Sequence, residues 1–466
     1  MSLGDERLST TDKKGNRIFL YPAEVKGFFR KYRDKVQAVL ILFFLILPWL
    51  KWNGVQLFLL DIPNRTFHLF GILFKSHDAP LIFLVLAVGT IGLGFVTAVF
   101  GRVWCGWACP QTVFIDGVYR RIEMWVQGDY LKRRKLAKEP WHFQKLLKIS
   151  FTWFLYFIVS TIIAHSFVAY FVGSDKLLSM IMGTPQENWS AFLIVMGMTL
   201  VLLFNFGWFR EQFCIIACPY GRIQSVLMDK QSMSVMYDYN RGEPRKESHV
   251  PKELQGDCVN CRRCVEVCPT GIDIRRGIQM ECIGCTACID ACDDIMAKVD
   301  KPLGLIRYSS EFEIENKISV APKNRIFRPR VIAYFAVIVA MSGLLFYLVG
   351  IRDPIKISVL KAKDALYSVI KEGQSDFVLN HFKLHIHNQS SKEMTVNVSS
   401  DLTLVLPQND ILLRPNKSQE IHFFVKFPLG QSKELRGSFK RNLNIAVKQG
   451  DKELSFEKEL TLVGPF

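Results

Sequence analysis

Apolar residues gather into five long runs, at 36–50, 81–100, 149–172, 189–209 and 331–350. A bilayer span takes about 20 apolar residues, so the last four runs read as membrane helices. The first is short and has Pro48 near its end; it becomes a span if it extends toward Leu60. Phe, Trp and Tyr crowd the ends of the runs, as they do at a water–lipid boundary. After the fifth run the pattern changes to alternation, in FVLNHFKLHIHNQ, MTVNVSSDLTLVLP and EIHFFVKFP. A period of two marks half-buried strands, and this stretch predicts a small antiparallel sandwich of immunoglobulin type.

Charge orients these runs. Lysine and arginine number 59 against 43 acidic residues, a net charge of +16. The excess lies before the first run (Lys26, Arg30, Lys31, Arg33), after the second (Arg120, Arg121, Lys132, Arg133, Arg134) and after the fourth (Arg241, Arg245, Arg262, Arg263, Arg275). With five spans all three segments fall on one side, which the positive-inside rule makes the cytoplasm. The charge therefore needs no nucleic acid to explain it. The composition excludes a disordered chain, a collagen-like chain and a small disulfide scaffold.

The expected fold class is a multi-domain membrane protein. It has a cytoplasmic N-terminal segment (1–35) and four membrane helices (36–209) of an α-helical transmembrane bundle of about five spans. A cytoplasmic two-cluster ferredoxin-like α+β insert (210–330), a fifth helix (331–350) and an outside immunoglobulin-like β-sandwich (351–466) follow. The polar first 35 residues, with no small-residue cleavage site after them, predict no cleaved leader.

All twelve cysteines fall on the cytoplasmic side of this topology, where thiols stay reduced. Eight form two runs: Cys258-x2-Cys261-x2-Cys264-x3-Cys268-Pro269 and Cys282-x2-Cys285-x2-Cys288-x3-Cys292. In two-cluster ferredoxins the first three cysteines of a run hold one iron–sulfur cube and the fourth completes the other. One [4Fe-4S] cluster is thus assigned to Cys258, Cys261, Cys264 and Cys292, the other to Cys282, Cys285, Cys288 and Cys268. Zinc uses Cys-x2-Cys pairs, but rarely two such four-cysteine runs. Asp293 stands where a ferredoxin would usually carry a second proline. The nearby arginines read as positive-inside residues.

The remaining four cysteines repeat another pattern, GRVWCGWACPQ with Cys105 and Cys109, and REQFCIIACPYGR with Cys214 and Cys218. Each pair follows an even-numbered run. Residues i and i+4 share a helix face, and the proline pushes the second cysteine out of helical geometry. Two such pairs bring four soft thiolates together for Cu(I), a cluster or a structural zinc ion; the bland alternative is four small buried hydrophobes. His385 and His387 share one strand face, as a metal pair or as exposed histidines without function. Met180, Met182, His68 and His77 fall in outside loops, open to copper handling or to chance. Gly89, Gly92 and Gly94 suggest helix packing. With no nicotinamide or flavin fingerprint, electrons come from another protein or a diffusible donor.

In this combination the chain resembles the FixG/CcoG/RdxA family, accessory proteins of cbb3-type cytochrome c oxidase. GRVWCGWACPQTV, REQFCIIACPYGRIQSVLMD, YDYNRGEPR, GDCVNCRRCVEVCPTGIDIR and GLIRYSS carry the resemblance. It implies a multi-pass protein of the bacterial inner membrane with a periplasmic C-terminal domain. It also implies a role in oxidase assembly by reduction of Cu(II) to Cu(I), with Cys105, Cys109, Cys214 and Cys218 as copper-holding catalytic residues. The implied partners are oxidase subunits or other assembly and copper-transport factors, and a cytoplasmic electron donor. Two rival readings stay open: a membrane ferredoxin of periplasmic nitrate or nitrous oxide reduction, and a non-catalytic assembly scaffold.

Overall fold

The computed structural model describes residues 10–465 except 12, 13, 15, 53, 54, 71, 76, 77, 247–250, 319–326, 352, 363, 364, 373, 374, 391, 409, 416, 430–436 and 451. His77 and residues 1–9 of the N-terminal segment thus lie outside the described residues. The chain divides into two compact units, Met1–Phe346 and Tyr347–Phe466.

Among the described residues of the chain, four helices are long and apolar enough to cross a membrane: Ala79–Phe100, Phe143–Val172, Trp189–Phe209 and Pro329–Gly350. At 1.5 Å per residue, a helix of about 22 residues spans about 33 Å, enough for a hydrocarbon core of about 30 Å. The first apolar run is carried instead by Phe28–Ile46, which begins eight residues earlier than the run and ends in a 3-10 turn, Leu47–Trp49. Its polar first half explains why it is not among the four. Arg33 and Gln37 are buried on it, so it serves protein contacts as well as apolar ones. Strands Phe58–Asp61, Thr66–Leu69 and Ile72–Lys75 form a small antiparallel sheet where the sequence suggested only a loop, with His68 opposite Leu59 and Leu73. Gly89, Gly92 and Gly94 do not pack against a neighbour: a Cβ built at each meets nothing within 4 Å.

The iron–sulfur lobe hangs on the first helix. Backbone N–H groups at a helix start lack intrahelical acceptors. Here the N–H of Phe29 and of Arg30 donate to the Asp290 carboxylate, at 3.1 and 2.7 Å. Asp290 belongs to helix Ala287–Lys298 of the lobe, so a carboxylate far along the chain caps Phe28–Ile46. The negative charge also suits the positive end of the helix dipole. Gly27 permits the approach, since a Cβ there would lie 2.2 Å from Asp290 Cγ. An antiparallel pair of strands, Ser234–Tyr237 and Ile306–Ser309, closes the lobe at its two ends.

A buried ion network joins these parts. Arg33 pairs with Asp116 at 2.5 Å and donates to the Cys285 carbonyl at 2.6 Å. Arg120 binds both Asp116 and Glu211. Glu123 receives Arg210, Arg133 at 2.9 Å and the Tyr156 hydroxyl at 2.8 Å. Burial alone would raise the Asp116 carboxyl, but Arg120 and Arg33 hold it at about 2.

The C-terminal unit is an antiparallel two-sheet sandwich. One sheet runs Thr403–Val405, Ser418–Pro428, Ser375–Asn388, Ile355–Lys361, with Ser368–Glu372 also on Ser375–Asn388; the other runs Asp410–Leu413, Met394–Ser400, Ser438–Gln449, Lys452–Val463. Alternation fills the core. Val378, Phe382, Leu384 and Ile386 face inward from one sheet and Leu443, Ile445 and Val447 from the other. His385 and His387 make no shared site. His385 lies 3.6 Å from Glu420, whereas His387 is buried and hydrogen-bonds Ser418 at 3.1 Å. The histidine contact the sequence did not show is His381 to His422, ring nitrogens 2.9 Å apart across neighbouring strands.

Removing one partner of a buried ion pair costs about 3–5 kcal/mol. Asp116→Asn is therefore expected to lower the thermal unfolding midpoint of the detergent-solubilised protein far more than Asp294→Asn, which opens the exposed Lys298–Asp294 pair of 2.6 Å. Equal midpoints for the two variants would mean that the network holds nothing together.

Candidate iron–sulfur and thiol site

The two cysteine runs fold as copies of one loop. Asn260 (φ 54°) and Gly284 (φ 66°) occupy matching positions before the second cysteine, and Arg262 (φ 58°) and Thr286 (φ 64°) matching positions after it. Left-handed residues at these points curl the backbone tightly and turn successive N–H groups toward a concavity, as in anion-binding nests. After Cys268 the chain turns at Pro269. After Cys292 it does not: Cys288 and Cys292 both sit on helix Ala287–Lys298. This is the physical reason for Asp293 in place of proline. The helix continues, and the Asp293 carboxylate accepts from the Gly304 N–H at 2.8 Å.

Two small cavities lie under these loops. One is lined by Cys258, Cys261, Cys264 and Cys292. The other is lined by Cys268, Cys282, Cys285 and Cys288, and Cys264 lines it as well. Each crossed set of four thus lines one cavity, with Cys264 shared between the two. The charge field divides in the same way. Burial, then Cys264, with Cys258 and Cys261 adding, pushes the Cys292 thiol up to about 12. Burial, then Cys285, with Cys282 adding, does the same to Cys268. Four converging thiols in an apolar cavity fit a cubane cluster, whose irons offset the charge that burial disfavours. Among the eight, only Cys261 is exposed.

The Cys-x3-Cys-Pro segments repeat each other too. Cys105 lies in the short helix Val103–Trp107 and Cys214 in the π-helical turn Phe213–Ala217. Cys109 and Cys218 are extended, each just before a proline that opens the next helix. Gln111 ties the first segment to the end of the helix before the second: its Nε2 donates to Asn205 at 3.0 Å and to the Arg210 carbonyl at 3.1 Å, and Asn205 Nδ2 donates back at 2.9 Å. All four thiols are half-buried and share one field. Burial, then Cys109, with Cys218 adding, pushes Cys105 up to about 12, and Cys214 is raised by burial, then Cys109 and Glu211, with Cys105 and Cys218 adding. Gln224, fully buried, accepts from Cys105 at 3.6 Å.

This four-thiol group packs directly on the iron–sulfur lobe. Cys105, Cys214 and Cys288 pack around one apolar cluster that contains Cys285. A Cβ at Gly106 would lie 2.6 Å from the Gly284 carbonyl oxygen, so only glycine lets the two loops touch. Arg102 donates to the Cys282 carbonyl at 3.0 Å. Phe29 stands between Trp107 and Tyr308, ring centroids 6.5 and 5.8 Å away. Sequence reading missed Arg102, Gly106, Gln111 and Gln224; only their nearness to the cysteines hinted at them. It also gave Arg275 no role. Arg275 is buried, lines the first cavity, pairs with Asp273 and donates to Asn260 Oδ1 at 2.6 Å, holding the first loop.

Thiol-lined cavities beside apolar helices define an iron–sulfur membrane protein. The chain belongs to the FixG/RdxA family. It is 33% identical to RdxB of Cereibacter sphaeroides over 87% of each chain. It is 34% identical to RdxA of the same organism over 83% of this chain and 82% of that one. With the nitrogen fixation protein FixG of Rhizobium meliloti it shares 30% identity over 90% and 88%. A 4Fe-4S dicluster domain matches residues 209–311, a 4Fe-4S binding domain 81–136, and the IG-like fold at the C-terminal of FixG 345–465.

Crossed ligation makes a specific demand. Two cubes give about eight irons per chain. Cys292→Ser is expected to lose the same reduced-state EPR signal as Cys258→Ser, and Cys268→Ser the same signal as Cys282→Ser. If Cys292→Ser instead matches Cys282→Ser, each run holds its own cluster. Gly106→Val is expected to keep the iron content while overpacking the seam, at a cost of about 1–3 kcal/mol, read as an earlier thermal loss of cluster absorbance.

Proposed function

We propose that this protein is a cupric reductase of the bacterial inner membrane that serves assembly of a cbb3-type cytochrome c oxidase. The observation that carries the reading is the seating of both Cys-x3-Cys-Pro segments on the cysteine loop of the second cavity. Cys258, Cys261, Cys264 and Cys292 hold one [4Fe-4S] cluster and Cys282, Cys285, Cys288 and Cys268 the other. When bound, the clusters supply one-electron storage and transfer. Copper is the substrate: Cu(II) takes one electron and becomes Cu(I). Cys105, Cys109, Cys214 and Cys218 receive it, and soft thiolates favour the reduced ion. Binding displaces the protons that burial keeps on Cys105, Cys109 and Cys214. The iron–sulfur lobe faces the cytoplasm and its donor. The immunoglobulin-like domain is periplasmic and meets the oxidase or a copper carrier.

A second reading has its own support. The 4Fe-4S binding domain matches 81–136, whose only cysteines are Cys105 and Cys109. On that reading the four thiols hold a third cluster, and the protein is a membrane electron carrier.

One variant separates the two. In Cys105→Ser/Cys214→Ser, the copper reading expects lost copper binding and lost Cu(II) reduction, with about eight irons retained. The third-cluster reading expects about twelve irons in the native protein and about eight in the variant. Unchanged copper stoichiometry removes the copper assignment.

A further inference from the structure

The outer face of the C-terminal sandwich carries a histidine pair that the function proposed above does not use. Side chains alternate between the faces of a strand. Val378, Phe382, Leu384 and Ile386 of strand Ser375–Asn388 point into the core, so His381, Lys383 and His385 stand on the opposite face. Glu420, His422 and Phe424 of the neighbouring strand Ser418–Pro428 share that face. The pairing sets Phe424 opposite His381, His422 opposite Lys383 and Glu420 opposite His385. His381 and His422 are thus diagonal neighbours, and their facing ring nitrogens, Nε2 and Nδ1, lie 2.9 Å apart.

Both rings are held in place. The His381 ring stacks on Phe424, centroids 4.5 Å apart and planes 20° from parallel. His422 turns its other nitrogen, Nε2, toward the Glu420 carboxylate at 3.4 Å. Glu420 is anchored by Lys383 at 3.0 Å, and its second oxygen faces His385 at 3.6 Å. An ionised carboxylate only accepts, so it keeps the His422 proton on Nε2. The Nδ1 lone pair is then left facing His381. Metal-binding imidazoles are oriented in this way: one nitrogen takes the ion and the other donates to a carboxylate. The His422 side chain is 49% exposed, so an ion reaches it from solvent.

The spacing selects the ion. An imidazole nitrogen sits about 2.0–2.1 Å from a divalent metal. Two such nitrogens are about 2.9 Å apart at a right angle and about 3.3 Å apart at the tetrahedral angle. The observed 2.9 Å is the right-angle value, which suits square-planar Cu(II) or Ni(II) better than tetrahedral Zn(II). No third His, Cys, Asp or Glu completes a ligand set with the pair among the described residues. Water fills the other positions, so the site is open and its ion exchangeable. Nitrogen sites of this kind hold Cu(II) ahead of Ni(II) and Zn(II).

We propose that His381 and His422 chelate an exchangeable Cu(II) ion on the outer face of the sandwich, with Glu420 as a positioning residue for His422. The ion arrives and leaves as Cu(II), and the site transfers no electron. Nothing here depends on what the four thiols of the Cys-x3-Cys-Pro segments carry, since the sandwich is a compact unit of its own.

The test uses the full chain in detergent, with its clusters loaded and oxidised, titrated with Cu(II) and read by pulsed EPR. The remote nitrogen of a bound imidazole modulates the Cu(II) echo. Sulfur ligands give no such modulation, so copper on the thiols stays out of the readout. The wild type is expected to show two imidazoles on one Cu(II). His381→Ala and His422→Ala are each expected to leave at most one and to weaken binding about tenfold or more. His422 is the more exposed ring, so its variant decides the matter if losing the stack on Phe424 unfolds the other. Glu420→Gln is expected to keep both imidazoles on the ion while weakening binding about tenfold. His385→Ala is expected to change neither. No imidazole-bound Cu(II) in the wild type, or the same modulation and affinity in His422→Ala, overturns the proposal and leaves a plain hydrogen bond between two rings. An equal loss in His385→Ala, or Zn(II) binding as tight as Cu(II), overturns it as well. Iron content and copper reduction play no part in the readout, so failure here and failure of the functional reading are told apart.

Discussion

The arrangement rests on guanidinium–carboxylate contacts sealed away from water. Taking such charges out of water is costly, and isolated buried pairs often add no net stability. The contacts survive here because Asp116 and Glu123 each meet two cations, and Arg33 also reaches a carbonyl. What this arrangement achieves is placement. Arg33 ties Asp116 to Cys285, so the first helix, the segment after Cys109 and a cluster loop share one side chain. A hydrophobic seam would hold the same parts together while letting them slide. Charges with fixed hydrogen-bond geometry specify one register.

Local repetition supports that long-range tie. The two iron–sulfur loops use the same left-handed positions, and the two Cys-x3-Cys-Pro segments use the same extended cysteine before a helix-opening proline. The Gln111–Asn205 amide pair ties the first Cys-x3-Cys-Pro segment to the end of the helix before the second. The two iron–sulfur loops line the two cavities, and the Gly106–Gly284 contact seats the Cys105 segment on the second loop.

Much of this is legible in the sequence because it is encoded locally. Cysteine spacing reflects a loop geometry, the apolar runs reflect a bilayer thickness, and alternation after residue 351 reflects a sandwich. What stays hidden depends on partners far apart in the chain. Asp290 looks like an ordinary helix residue until it caps Phe28–Ile46. Arg33 and Arg120 look like positive-inside charges until Asp116 is found between them. The glycines of Ala79–Phe100 looked like packing points because their spacing allows it, but spacing says nothing about whether a neighbour is present. His385 and His387 shared a strand face on paper, yet the end of the strand buries one and leaves the other beside Glu420.

Cys288 and Cys292 are successive turns of one helix, yet they line different cavities. Four residues of helix rise about 6 Å. The spacing of these two thiols is therefore set by the backbone hydrogen bonds of the helix rather than by loop packing. A single inserted residue between those two cysteines would swing one thiol about 100° around the helix axis, away from its cavity.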